Sequence, residues 1–302
     1  MVDQSEAQAI AIPAQPAPAR ASTFSWAWIG VTPFLAFAVL FLIAPTLFLI
    51  VGAFQDAQGH FTLANLADLA QPSIVRAYRI SLEISITSAI LGAIFGSLIA
   101  AAAVLNGLPG WLRPTLLTFS GVASQFAGVP LAFAFLATLG RTGLVTYLLN
   151  TYLGFNLYST GFNLLSFWGL TITYLYFQIP LMILIMTPAL DGLKREWREA
   201  SAILGASTWQ YWRYVALPVL WPSLLGATLL LFANAFGAVA TAYALTGSSL
   251  NIVTILLFAQ IRGDVLHNAN LGYALAFGMI LITGVSNGAY IWLRSRGERW
   301  LK

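Results

Sequence analysis

Six apolar stretches, each long enough to cross a bilayer, leave this chain few ways to fold. They run over residues 29–54, 80–105, 114–139, 164–190, 218–245 and 271–293, and about 20 apolar residues suffice for a helix to span the hydrocarbon layer. A backbone with no water to bond must close its hydrogen bonds internally, so the spans are helices and not open strands. Composition agrees, with 59% of the 302 residues hydrophobic and 8% charged, against roughly a quarter charged in soluble domains. The fold expected is an all-α integral membrane protein with six transmembrane helices.

Lysine and arginine set the orientation. With a cytosolic N-terminus, Arg20, Arg113, Lys194, Arg195, Arg198, Arg213, Arg294, Arg296, Arg299 and Lys302 lie inside, and Arg76, Arg79, Arg141 and Arg262 lie outside. Ten against four favours that topology, with both termini cytosolic. The net charge of +4 is spread over inner loops, so it speaks for anionic headgroups and against nucleic acid. With no cysteine in the chain, disulfides and thiolate metal sites are excluded. His60 and His267 sit in separate outer loops and make no metal site.

A transporter needs an energy source, and this chain shows none of its own. Inside the six stretches the one charged residue is Glu83, at an edge and four residues from Arg79. Proton- and voltage-driven machines carry ionisable groups at membrane depth. A Walker A loop ends in Gly-Lys-Ser or Gly-Lys-Thr, and neither Lys194 nor Lys302 follows a glycine. No H-E-x-x-H, G-x-S-x-G or intramembrane carboxylate pair occurs, so no catalytic residue is expected. Sodium coupling through neutral oxygens needs no buried charge, so an ion-coupled carrier stays open on these grounds.

The most polar organised stretch is 191–222, DGLKREWREASAILGASTWQYWRYVALPVLWP. Leu190, Leu193, Trp197, Ala200 and Leu204 recur every three or four residues, which predicts an amphipathic helix with Lys194, Arg195, Arg198 and Glu199 away from that stripe. Gly205 follows as a left-handed cap, and Ser207 to Gln210 matches a capping box. A second short helix is expected from Thr208 to Pro218, then a membrane span.

Glu199-Ala200-Ser201, three residues, Gly205, nine residues and Val215-Ala216-Leu217-Pro218 resemble the EAA signature of membrane subunits of binding-protein-dependent ABC importers. Ser201 replaces the second alanine and Val215 an isoleucine; every spacing matches. The resemblance implies a type I ABC importer permease fold of the MetI-like kind, with 191–218 as the cytosolic loop whose coupling helix docks on a separate ATPase. Arg195, Arg198, Glu199, Ala200, Ser201, Gly205 and Ala206 would make that contact. It further implies an ATPase dimer that binds ATP and Mg, while this chain binds no cofactor. A second permease subunit, a different one in preference to a copy, a periplasmic or lipid-anchored solute-binding protein and the lipids of a bacterial inner membrane complete the set. A loose likeness of Gly59, Phe61, Thr62 and Asn65 to polyamine-type permeases points to a polyamine-like solute, with ferric iron, thiamine, phosphonate or an inorganic anion as alternatives.

Around this loop the chain divides into a disordered cytosolic tail over 1–25, rich in Ala and Pro, a permease domain over 26–298, and a tail over 299–302. Pro33 and Pro45 are expected to bend the first helix. The Gly92 to Gly96 spacing offers a close-approach face. Polar and aromatic groups at membrane depth, Gln125, Tyr174, Gln178, Asn234, Phe236 and Tyr243, are the candidates for lining a translocation path. Residues 142–162 read as an outer interfacial segment and 251–270 as a short outer helix.

Overall fold

The computed structural model describes residues 27–105, 109–262 and 269–297, so the two expected tails and His267 lie outside the described residues. The chain divides into two compact units, 1–47 and 48–302.

In the first unit, α1 (Ala27–Ala38) leads through a π-turn (Val39–Ile43) into the start of α2 (Ala44–Ala53). Pro45 has no N–H for the Phe41 carbonyl four residues back. The turn widens there, and Ala44 bonds to Val39, five residues back. None of residues 30–47 is buried.

The second unit takes in the rest of α2 and then a loop closed by an isolated Gln55–Phe61 bridge. There follow α3 (Ala64–Asp68), α4 (Pro72–Leu105), α5 (Leu112–Gln125), α6 (Gly128–Leu139), α7 (Leu144–Leu153), a 3-10 turn (Leu157–Thr160) and α8 (Phe167–Asp191). After α9 (Arg195–Ile203) and α10 (Thr208–Tyr211) comes a second π-turn (Trp212–Ala216). Then α11 (Leu217–Phe236), α12 (Val239–Thr246), α13 (Val253–Arg262) and α14 (Ala269–Gly297) complete it.

Helices α4, α8 and α11 pack together, with α14 against α11. Glycine lets α4 come this close. A Cβ on Gly92 would lie 2.8 Å from Gln178 Cβ, and one on Gly96 2.5 Å from Met182 Cβ and 2.8 Å from the Ile179 carbonyl. The expected close-approach face is thus the α4–α8 contact.

Three expected spans need correction. The second helix begins at Pro72, eight residues before Ile80, so Arg76 and Arg79 are helical; proline is at home in a first turn because its missing N–H would have no partner there. The third, expected unbroken over 114–139, splits into α5 and α6 around Phe126 and Ala127. An unbroken helix would set Pro130, which has no N–H, against the Phe126 carbonyl. The fifth, expected over 218–245, starts at Thr208 and breaks at Gly237 and Ala238. Pro218 does not end the short helix before it, because the π-turn absorbs the missing bond and Leu217 donates to Trp212, five residues back.

By length and apolarity, 128–153 would also suffice to cross a membrane. It is not one rod, however: the chain turns at Gly140 to Gly143, and α7 packs against α6. Helix α5 instead runs along α8, and α6 packs chiefly against α12. Arg113 at the start of α5 meets Asp191 at the end of α8 at 2.5 Å, and Leu131 and Ala132 of α6 share a cluster with Leu164 and Leu170.

Candidate functional site: the EAA elbow and a cavity between two broken helices

The elbow folds as its residues dictate. Gly205 takes φ +78°, its N–H bonds to Ala202 and that of Ala206 to Ser201, the bonding of a Schellman cap. Ser207 then starts α10, its Oγ accepting from the Gln210 N–H at 3.3 Å while Gln210 Oε1 accepts from the Ser207 N–H at 2.7 Å. Arg195 Nε donates to Glu199 Oε1 at 2.8 Å, and Ser201 Oγ to the Arg198 carbonyl at 2.8 Å.

The apolar stripe is covered by this chain at one end only. Leu190 is buried and Leu193 packs against the core, yet α9 buries none of its own residues, and Ile203 and Leu204 are each 85% exposed. Nothing in the described chain covers the far end of the stripe. The seven elbow candidates also separate. Arg195, Arg198 and Glu199, at steps of three and four, share one face toward the end of α4. Ser201, Gly205 and Ala206 line a different hollow of about 350 Å³ with Leu204, Gln210 and Tyr214. Ala200 is exposed and lines neither.

Half-way along α8 the two helix breaks face each other. Gly128, at φ +77°, donates its N–H to Thr241 Oγ1 at 2.7 Å. Ala238 forms a tight turn with φ −77° and ψ 65°, an inverse γ-turn, and its carbonyl accepts from Tyr174 Oη at 2.9 Å. Backbone freed from helices at membrane depth must be paired in this way or line an aqueous cavity. Both happen here. A cavity of about 420 Å³ lies between the breaks, lined by Ser124, Gln125, Gly128, Asn234, Gly237 and Thr241, with Phe177 below. Its lining carries no charged side chain among the described residues.

Of the six path candidates, Gln125 and Asn234 meet at this cavity, and Tyr174 holds its wall through Ala238. The other three lie elsewhere. Gln178 is fully buried and gives Nε2 to the Leu231 carbonyl at 3.0 Å. Phe236 is buried and stacked on Phe232. Tyr243 is 48% exposed and tilts against Phe258 at 4.8 Å. Gly128 was not among the candidates; a glycine two residues before Pro130 was the signal for it.

Comparison with known proteins agrees with the geometry. The chain is 30% identical over 177 residues to a probable sulfate transport system permease protein of Chlorella vulgaris, covering 57% of this chain and 61% of that one. It is 25% identical to the sulfate transport system permease protein of Escherichia coli, covering 64% and 68%. A putative ferric transport system permease protein of Haemophilus influenzae is 26% identical over 85% of this chain and 40% of its own length. The chain thus spans about two fifths to two thirds of these relatives. In a crystal structure of a bacterial ABC transporter involved in the import of the acidic polysaccharide alginate, one chain superposes with a TM-score of 0.66 at 17% identity, covering 91% of this chain and 96% of that one, a likeness of fold. The family model described as binding-protein-dependent transport system inner membrane component matches residues 92–298, and the chain belongs to that family.

Proposed function

We propose that this chain is the permease subunit of an ATP-driven importer, with the elbow on the cytosolic side as the docking point for a separate ATPase. The observation that carries this is the uncovered end of α9, where Ile203 and Leu204 stand 85% exposed in a loop whose cap and capping box hold it rigid. An apolar patch on a preformed turn is a surface waiting for a partner. Both termini lie with the elbow in a bacterial inner membrane, by the lysine and arginine count. A solute-binding protein delivers cargo at the other face, and a second permease subunit, different from this one, completes the path.

The cargo is a small oxyanion of the sulfate kind. Relatives named for sulfate support this, and the cavity favours it over the ferric alternative. The Thr241 hydroxyl and the amides of Gln125 and Asn234 can donate to an anion, and the cavity offers no carboxylate to a hard cation, which takes oxygen ligands and above all charged ones. The first turn of α6 opens beside it and adds the positive end of a helix dipole. The polyamine expectation draws no support from the relatives described, and a cationic polyamine would find no counter-charge in this cavity.

Radiolabelled sulfate uptake into proteoliposomes holding the chain with its ATPase and solute-binding protein tests this reading. Uptake that requires ATP and the binding protein is expected. Uptake by this chain alone, without ATP, would establish a carrier instead.

A further inference from the structure

The face of α9 that bears Arg195 and Arg198 looks onto a second, larger hollow of about 900 Å³, separate from the one at Gly205. Its two sides differ in kind. One is apolar: Leu98 and Ala102, on the last two turns of α4, both exposed. Leu98 stands seven residues before the end of α4, so at 1.5 Å per residue this wall reaches about 10 Å back into the span. The other side is basic, with Lys194, Arg195 and Arg198 at the rim and Trp212 between the two sides.

Within the chain the charges do not balance. Glu199 is the one carboxylate of the hollow and is engaged by Arg195. Lys194 lies over the Trp197 ring at 5.9 Å, and Arg198 has no ion pair among the described residues. Three cations against one anion leave an excess of two positive charges beside an apolar wall at the level where hydrocarbon gives way to headgroups. A soluble protein surface cannot solvate the upper part of that wall, and an apolar helix cannot neutralise the rim. An amphiphile with an anionic head does both.

We propose that this hollow seats an anionic phospholipid from the leaflet on the elbow's side, with its phosphate among Lys194, Arg195 and Arg198 and its first methylenes along Leu98 and Ala102. The lipid then forms part of the bearing on which the elbow sits, leaving the Ile203 and Leu204 end free for another partner. The inference does not depend on which compartment the elbow faces.

The test uses the full chain in nanodiscs of equal phosphatidylglycerol and phosphatidylcholine, released into native mass spectrometry to count retained lipids. Wild type is expected to keep one phosphatidylglycerol in preference to phosphatidylcholine. Arg198→Gln, an exposed and fold-neutral change, is expected to cut that preference about fivefold, the effect of one basic residue at an anionic surface. Ala102→Phe, which fills the apolar side and leaves the rim intact, is expected to lower retention of the bound lipid as well. No preference in wild type, or a preference untouched by Arg198→Gln, would overturn the proposal. So would displacement of the lipid by stoichiometric ATPase subunit, which would give the hollow to that protein.

Discussion

Gly205 is the position where one side chain decides the shape of the elbow. At φ +78° a β-branched residue is held in a conformation that costs about 1–3 kcal/mol, while a Cβ there meets nothing within 4 Å. Gly205→Val is therefore expected to lower the melting temperature of the purified protein by several degrees without unfolding it, and to abolish ATPase activity stimulated by the solute-binding protein in the assembled complex. Asp56 shows the same economy in the loop after the first helix. Its Oδ1 accepts the N–H groups of His60 at 2.8 Å and Gln58 at 2.9 Å, and the His60 bond is the main reason its carboxyl is held below the ordinary 3.8. A carboxylate depressed in the folded state adds stability above its ordinary value and loses it as pH falls through the folded value. Hydrogen exchange in residues 54–63 is expected to stay slow at neutral pH and to speed up on acidification below the ordinary carboxylate range. In Asp56→Asn, whose Oδ1 can still accept both N–H groups but cannot be protonated in this range, that acid-induced loss of protection is expected to disappear.

At the scale of elements, two helices stop in mid-span and lean on each other. Thr241→Val removes the acceptor for the Gly128 N–H and leaves a partly buried donor unpaired, a loss of about 1–3 kcal/mol that thermal unfolding should register. The α4–α8 contact gives a sharper contrast. Gly96→Leu would drive atoms into Met182 and the Ile179 carbonyl, and overpacking of this kind costs about 1–3 kcal/mol or more. At Gly121 a Cβ meets nothing within 4 Å, so Gly121→Leu is expected to be tolerated. Much of this was legible beforehand. Spacing alone marked Gly92 and Gly96, the Gly205 cap and the Ser207 capping box, because these depend on neighbours within a turn or two. The breaks were not read, because hydropathy averages over a window and stays high straight through Phe126 and Gly237. The stripe ending at Leu204 shows a second limit: periodicity marks an apolar face but not what covers it. Gln178 and Phe236 were marked as polar or aromatic at depth, and only packing shows that α8 and α11 turn them into the core.

At the scale of the whole molecule, six apolar stretches give the chain its membrane class, and a family match over residues 92–298 gives it a place among importer permeases. In the function proposed here force enters through the elbow, where Ile203 and Leu204, each 85% exposed, are the most exposed large apolar side chains among the described residues. The side on which that elbow lies therefore matters more than any other fact about it. The chain contains no cysteine, so a single Leu204→Cys can be labelled cleanly with a membrane-impermeant maleimide. Labelling is expected in inside-out vesicles and not in intact cells, and it should be blocked by added ATPase subunit. Labelling of Leu204→Cys from outside intact cells would contradict the account.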